Sequence, residues 1–581
     1  VELITNPGAE YGAAVGAVLK LKTVGKKIDG FGIGFRSVAD YSYKIGNNDQ
    51  LNVEYRQNGL DLFGTFQYRL QHLKETGETV QMTDVDTLWK QRTHSTDLGK
   101  NISYFGQFGF NYEINKNHSF GATYELTSAP RDKMSNDNRT EVYADHELYD
   151  VWNTNAFSIE KTYPTHHSNF YYHGDINSLE IDLNADVLVG KNKEEENIKE
   201  LSLNYDDLYM TTFSETSNKL YAGKLVLAYP LFKGRISGGS EYSYIHRISD
   251  FSGFGNQILG TSDKIRERNL AFFLNCTWSL GGIDASAGLR YEDVKSDFYE
   301  NSIYQSDESK HYRNLFPSLS LKGSAGKVHW GLGYHIQVAR PYYEQLKNEI
   351  HYGNRFTYLG GTPNLQPTYI HTAEMRAAYR DLQLSVGYNR YNDDILFSIE
   401  QATSDPKITL IKFRNVEHRD EMTASLVYSP GIGCWRPEWV ASVQSQWFNI
   451  GYLDGTKNMN GITVGIRWNN SFQLPMGYIF RLNGTYTGKG VYQNSFTRPV
   501  SCFGVSIYKS FFNGRLDCTV EGNDLFHTVR DATTQYDNKV KIYRETQRNT
   551  QEVKLPVHYK FNLQKSKYKG TGAGLDEQQR L

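Results

Sequence analysis

Histidines gather in one stretch of the chain, and imidazole is a common metal ligand. His166 and His167 are adjacent, and His173 follows shortly afterwards. Consecutive side chains of a β-strand point to opposite faces, so only one of the adjacent pair can share a face with His173. Because a lone histidine at a surface is usually not a ligand, we expect no metal site here.

Acidic residues continue the same pattern. Glu180, Asp182 and Asp186 would share one strand face and could line a path for cations. The alternative, which we favour, is that a water-filled interior needs polar side chains whatever it conducts. Further charged residues are expected to face the same interior, namely Glu54, Arg69, Arg290 and Glu292.

Motifs of hydrolytic enzymes are absent from the sequence, which has no Gly-x-Ser-x-Gly elbow and no His-Glu-x-x-His. We therefore expect that the protein is not an enzyme. No residue is assigned to catalysis, to a cofactor or to a metal, and no cofactor is expected. The net charge of −2 gives no reason to expect nucleic acid as a partner.

Strands must position these residues, because apolar and polar residues alternate with a period of two. From Leu179 to Val187 every odd-numbered residue is apolar and every even-numbered one is Glu, Asp or Asn. The same alternation recurs along the chain, for example in 102–114, 120–126, 270–291, 328–335 and 382–388. No apolar run approaches the roughly 18 residues that a spanning helix needs.

The composition fits a membrane β-barrel. Aromatic residues make up 14%, glycine is plentiful (51) and proline is scarce (14). The mean hydropathy is −0.59, which a barrel explains because only alternate residues face lipid. Tyrosines are expected at the membrane interface, where an apolar ring and a polar hydroxyl are both satisfied. The candidates are Tyr41, Tyr43, Tyr242, Tyr244, Tyr342 and Tyr343.

Connections between the strands fall into two kinds. Short turns occur at 57–59, 175–178, 232–235, 324–326, 475–477 and 512–515, and long polar segments at 75–99, 129–164, 192–218, 248–266, 341–367 and 528–550. Outer-membrane barrels have short periplasmic turns and long extracellular loops, whereas a soluble propeller or sandwich does not sort its loops. We predict an all-β, antiparallel transmembrane barrel of about 22 strands in a Gram-negative outer membrane.

The long loops are the best candidates for ligand binding, since aromatic rings with polar neighbours suit sugar-like or siderophore-like ligands and partner proteins. The candidate side chains are Tyr342, Tyr343, His351, Tyr352, Arg355, Phe356, Tyr358, Trp152 and Tyr163.

Cys502 and Cys518 are predicted to face opposite sides of the wall, which disfavours a disulfide. Pro556 interrupts the last strand, 553–561, where we expect a local bulge.

Three stretches carry a family resemblance. The beginning, with Asn6-Pro7-Gly8-Ala9 and Tyr11-Gly12, resembles the end of the plug of TonB-dependent receptors. Arg340-Pro341, then Gly361-Thr-Pro-Asn-Leu-Gln-Pro367, His371 and Glu374 resemble a signature of their barrels. The last strand and its Lys/Gly tail are similar to those of the Bacteroidetes-type outer-membrane β-barrel family.

The resemblance implies three regions: 1–23 as the C-terminal remnant of a plug domain, 24–562 as the barrel and 563–581 as a disordered periplasmic tail. It implies TonB-dependent uptake of a siderophore-, glycan- or peptide-like nutrient, with the lumen charges contacting the plug. Implied partners are outer-membrane lipids, the TonB complex and a surface lipoprotein. Most of the plug and the TonB box are not in the sequence. We expect upstream sequence with an export signal, and the alternative is a plug-less passive or structural barrel.

Overall fold

The computed structural model describes residues 2–4, 7–20, 29–255, 260–403, 405–563 and 568–581. Its centre is a closed antiparallel barrel of 22 strands, so the predicted fold class is confirmed. No helix within these ranges is long and apolar enough to cross a membrane.

The elements are numbered in chain order. The strands are β1 (Glu2–Ile4), β2 (Val18–Lys20), β3 (Gly30–Tyr41), β4 (Ile45–Gln57), β5 (Leu60–Asp84), β6 (Leu88–Glu113), β7 (His118–Ala144), β8 (Glu147–Ile176), β9 (Leu179–Leu201), β10 (Leu208–Leu231), β11 (Gly234–Phe254), β12 (Thr261–Leu280), β13 (Ile283–Glu300), β14 (Ile303–Ala325), β15 (Val328–Ala339), β16 (Ile350–Asn354), β17 (Thr357–Gly360), β18 (Thr368–Tyr379), β19 (Leu382–Gln401), β20 (Thr409–Tyr428), β21 (Trp435–Trp447), β22 (Asn449–Tyr452), β23 (Gly455–Asn458), β24 (Gly461–Gln473), β25 (Tyr478–Thr487), β26 (Gly490–Tyr492), β27 (Ser495–Thr497), β28 (Val500–Phe511), β29 (Leu516–Asn523), β30 (Asp531–Asp537), β31 (Val540–Arg548) and β32 (Glu552–Phe561). A 3₁₀ turn spans Pro475–Gly477, and α1 spans Leu575–Arg580.

The barrel closes where its first strand, β3, pairs antiparallel with its last, β32. The hairpins β16–β17, β22–β23, β26–β27 and β30–β31 belong to the connections between barrel strands, and β1 pairs with β2 outside the barrel sheet. Apolar side chains point outward as the alternation predicts: Leu183 is 47% exposed, whereas Asn184 and Asp186 are buried inside. The inner face is therefore polar.

The longest strands have two parts. The β7–β8 ladder shifts register between Thr127 and Asp132, opposite a shift between Thr162 and His166. Below these bulges β7 runs for about ten residues, the length of a tilted spanning strand. Extra residues in a ladder bend it, so the bulges separate the spanning wall from a hairpin that rises beyond it.

Connections at one end are tight, as at Asn58–Gly59, Asn177–Ser178 and Gly281–Gly282. The long segments lie at the other end, as predicted, but 75–99, 129–164 and 192–218 are mostly extended hairpins and not irregular loops. Their turns are short: β7 and β8 are joined by Asp145 and His146 alone. The sequence pattern did not predict these strands, because their residues are polar on both faces and the alternation signal requires one apolar face.

Candidate functional site

Two segments of the chain lie inside the barrel. We call residues 7–15 the N-terminal segment and residues 568–581 the C-terminal segment. They contact each other, since a Cβ placed on Gly12 would lie 2.2 Å from the Asp576 Oδ2 atom and the Ala14 N–H donates to the same oxygen at 3.4 Å. The interior is therefore filled from both ends of the sequence.

The N-terminal segment is held by the wall at β13–β15. The Val338 N–H donates to the Ala13 carbonyl at 3.1 Å, and the Gln337 side-chain amide donates to the Val15 carbonyl at 3.0 Å. Ala13 packs against Phe316 and Val338 in a small buried cluster. Main-chain and side-chain contacts thus fix the position of this segment.

The C-terminal segment was expected to be a disordered periplasmic tail, and the structure contradicts that expectation. Tyr568 inserts between Phe63 and Tyr171, with ring centroids 5.9 and 4.8 Å away. Ala573 is fully buried. A polar, glycine-rich tail looks disordered because it lacks apolar surface to bury, but the polar lumen supplies the hydrogen bonds that water otherwise would.

Main-chain N–H groups of this segment donate to acceptors on the wall. Thr571 and Gly572 donate to the Asn184 Oδ1 atom at 2.9 and 3.2 Å. The Ala573 N–H donates to Asp186 at 2.7 Å, and the Gly574 N–H donates to Glu241 at 2.9 Å. These acceptors bind main-chain N–H groups of the segment, a donor that every amino acid except proline carries.

The helix α1 ends in a buried arginine. The Arg580 guanidinium forms a bidentate ion pair with Glu267, in which the Nη2 and Oε2 atoms are 3.2 Å apart. It lies 4.3 Å from the centroid of the Tyr343 ring, and its Nε donates to the Pro341 carbonyl at 3.0 Å. The Tyr343 hydroxyl donates to Glu267 at 2.9 Å. Charge, stacking and planar geometry together define a guanidinium pocket.

Burial changes the acidity of the two carboxyls on α1. Desolvation raises the pKa of Glu577, and the neighbouring Asp576 raises it further. Desolvation and the nearby Glu292 raise the pKa of Asp576. Docking of the helix therefore favours protonated carboxyls.

A buried ion network lies beside these segments. Arg290 contacts Glu292 at 2.5 Å and Glu241 at 3.0 Å, and Arg340 also pairs with Glu292. Arg290 and Glu292 were predicted to face the interior, and both are almost fully buried there. Removing one member of such a network is strongly destabilising, because it leaves a buried charge without its partner.

The predicted acidic row is paired and not an open cation path. Glu180 pairs with Arg235 at 2.8 Å, and Asp182 with His173 at 2.6 Å. Asp186 pairs with His167 at 2.9 Å. His166 instead contacts the Tyr124 hydroxyl on the outer side, so the two adjacent histidines separate as predicted.

One group could hold a metal ion, formed by His173, Glu180 and Asp182, whose ligand atoms lie within 4.8 Å of one another. The sequence predicts no such group, because His173 is separated along the chain from Glu180 and Asp182. They come together because His173 lies opposite Asp182 in the β8–β9 register. All three side chains of this group already have protein partners: His173 pairs with Asp182, and Glu180 pairs with Arg235.

Aromatic residues of the 341–367 loop pack mostly inward. Tyr343 is fully buried and Phe356 is 3% exposed. Phe356 packs edge-on against Trp152 at 5.0 Å and Trp89 at 5.4 Å. The prediction of exposed rings is therefore wrong for Tyr343, Phe356 and Trp152. Tyr343 packs in a buried cluster with Leu346 and Leu365, and Phe356 packs against Trp152 of β8. Tyr342 remains exposed, and the other candidates, which are partly buried, are His351, Tyr352, Arg355, Tyr358 and Tyr163.

The signature residues position this loop. Arg340 reaches Glu292, and the Pro341 carbonyl binds Arg580. A Cβ on Gly361 would lie 2.2 Å from the Lys347 carbonyl, so only glycine fits there. Leu365 is buried in the same cluster as Tyr343. The signature thus ties the loop to the lumen.

The spacing of strands and the sorted turns are those of an outer-membrane barrel, and a sequence comparison decides the family. The model of the outer membrane protein beta-barrel family matches residues 174–559. The chain belongs to this family. Membership places it in the Gram-negative outer membrane, as predicted. No curated protein matches the chain by sequence.

Solved structures resemble this family member in fold. The FrpB iron transporter from Neisseria meningitidis aligns with a TM-score of 0.59 at 11% identity, covering 96% of this chain and 87% of FrpB. The copper transporter OprC aligns with a TM-score of 0.62 at 11% identity, covering 96% and 84%. The siderophore receptor PirA from Pseudomonas aeruginosa aligns with a TM-score of 0.53 at 12% identity, covering 96% and 85%. At such identities the likeness shows the fold, which is that of outer-membrane transporter barrels.

Proposed function

We propose that this barrel is the wall of an outer-membrane transporter that takes up a specific nutrient. The observation that supports this most is the filled lumen, in which the N-terminal segment bonds to β15 and contacts Asp576. Barrels of about 22 strands enclose a wide interior that is usually plugged. A blocked lumen suits gated, specific uptake better than free diffusion.

Energy for uptake is proposed to come from TonB, through the plug region that the N-terminal segment resembles. The polar contacts of that segment support this role. They include separate hydrogen bonds to Gln337 and Val338, which an applied force can break one after another. Siderophore-, glycan- and peptide-like nutrients all carry polar groups that suit a polar interior. We propose a role as transporter and not as enzyme.

A surface lipoprotein is a proposed partner at the extracellular end. The hairpins of β5 to β10 rise beyond the spanning wall and offer a broad polar surface there. Crosslinking in intact outer membranes, with photoreactive residues at exposed Leu148 or Tyr209, should capture such a partner. Crosslinks to lipid alone at both positions would contradict this part of the proposal.

Conductance separates the transporter from a passive or structural barrel. Purified protein in planar bilayers should show a low, intermittent conductance, because ordered segments block the pore. A large and steady conductance would contradict gated transport and favour the passive barrel. Heat-modifiable gel mobility confirms in the same sample that the barrel is folded.

A further inference from the structure

The C-terminal segment climbs the inner wall along four successive rungs of the sheet. In the register of β9 to β12, Asn184 lies level with Glu241, and Asp186 lies level with Asn269. Glu267 is one rung higher, and Arg247 is the next. Rungs on one face are two residues apart, so the path is roughly 20 Å long.

The lower two rungs bind a main chain. Asn184, Asp186 and Glu241 accept the four consecutive N–H groups of Thr571 to Gly574. They are side-chain acceptors on rigid strands. The segment presents four successive N–H groups to them because Gly572 and Gly574 adopt φ angles of +77° and +63°, a conformation that favours glycine.

The third rung selects a cation. Glu267 is 4% exposed, and Arg580 is its salt-bridge partner within the described part of the chain. A buried carboxylate that loses its cation is left with a large desolvation penalty. A chain that brings a positive group to this place is therefore favoured over one that does not, and the flat pocket of Tyr343, Glu267 and the Pro341 carbonyl fits a guanidinium.

We propose that this wall is a binding track for arginine-bearing peptides, that such peptides are the substrate class, and that the C-terminal segment is its resident occupant. The assignment of substrate rests on the transport function proposed above. Binding an incoming peptide requires the resident segment to leave. The segment therefore competes with substrate at the Glu267 pocket.

The test is peptide binding to the full-length protein in detergent. A fluorescein-labelled peptide with the sequence of residues 568–581 is titrated against wild type, Arg580→Ala and the double variant Arg580→Ala/Glu267→Gln, with fluorescence anisotropy as the readout. Arg580→Ala should bind the peptide at least about 30-fold more tightly than wild type, because it weakens the competitor. The double variant should lose that gain.

Controls address the specificity of the pocket. A peptide with its arginine replaced by alanine should bind Arg580→Ala weakly, and Arg313→Ala, which removes an exposed ion pair with Asp293, should bind like wild type. If a folded Arg580→Ala protein binds the labelled peptide no better than wild type does, the proposed binding track is wrong. Equal binding of the alanine-substituted peptide would overturn it too.

These measurements test the proposed binding track and the proposed transport function separately. Anisotropy does not depend on passage through the pore, so peptide binding without TonB-dependent peptide uptake by whole cells contradicts the transport function and the assignment of substrate. Uptake of another solute by a protein that binds no peptide contradicts the track alone.

Discussion

Pro556 lies directly opposite Val38 across the seam that closes the barrel. The expected bulge at this proline is absent: both ladders of β32 keep one register along their length. The ladder with β29 instead skips the two pairs between Cys518–Val557 and Glu521–Lys554. Since proline has no N–H, the strand accommodates it by leaving rungs unpaired.

Replacing Pro556 with valine should strengthen this seam. The added N–H can complete the interrupted ladder, and we expect the free energy of unfolding to rise by about 1 kcal/mol. Urea unfolding in detergent, followed by heat-modifiable mobility, measures the change. Leu555→Val, at an outward-facing position, is the control without a new donor. An unchanged or lower midpoint for Pro556→Val would show that the gap has another cause.

The buried network at Glu292 should be far more sensitive than the exposed pair beside it. Glu292→Ala leaves Arg290 and Arg340 without their shared carboxylate, and we expect a loss of about 3–5 kcal/mol. Asp293→Ala removes the exposed pairs with His311 and Arg313 and should lose much less. Equal midpoints in urea for the two variants would contradict a structural role for the network.

Docking of the C-terminal segment should weaken as pH rises. Burial raises the pKa of Glu577 above its ordinary value of 4.5, so the docked segment binds protons that the released one gives up. The contribution of Glu577 to docking is therefore largest below pH 4.5 and falls as the pH rises into the neutral range. Hydrogen exchange should show lower protection factors in 568–581 at pH 8 than at pH 5.

A neutral side chain provides the control for this pH effect. Glu577→Gln cannot ionise, so the fall in protection between the two pH values should be smaller in that variant. Asp576 retains part of the effect, because desolvation also raises its pKa. Protection that increases with pH in the wild-type protein would contradict the sign of this coupling.

The aromatic cluster at the barrel mouth should hold the 341–367 loop in place. Phe356→Ala removes the ring between Trp152 and Trp89, and we expect a loss of about 3–5 kcal/mol in local packing. Limited proteolysis should then cut the loop faster than in wild type. Tyr342→Ala, at an exposed ring, should leave the rate unchanged. Faster cleavage in both variants would mean that the cluster is not what orders the loop.

Local pattern was enough to predict the barrel. Alternation over Leu179–Val187 correctly assigned the outer and inner faces, and counting turns gave the strand number. These features depend on neighbours in sequence, which a single chain reveals directly.

The contents of the lumen depend on distant partners and could not be predicted in this way. Arg580 and Glu267 are 313 positions apart, and nothing local to either residue indicates the other. The helix α1 has six residues, too few to give a periodic signal. The hint in the sequence is chemical: an inward-facing acidic wall and a tail that carries Arg580.

The height of β7 and β8 has a consequence for the cell surface. Above its bulge β8 continues from Glu147 to Thr162, which at ~3.3 Å per residue and the usual tilt adds ~40 Å beyond the bilayer. The tip of this hairpin, at Asp145 and His146, thus projects from the cell surface, and an antibody or a bacteriophage meets it before it reaches the lipid. Substitutions there alter what the bacterium displays while the spanning wall stays the same.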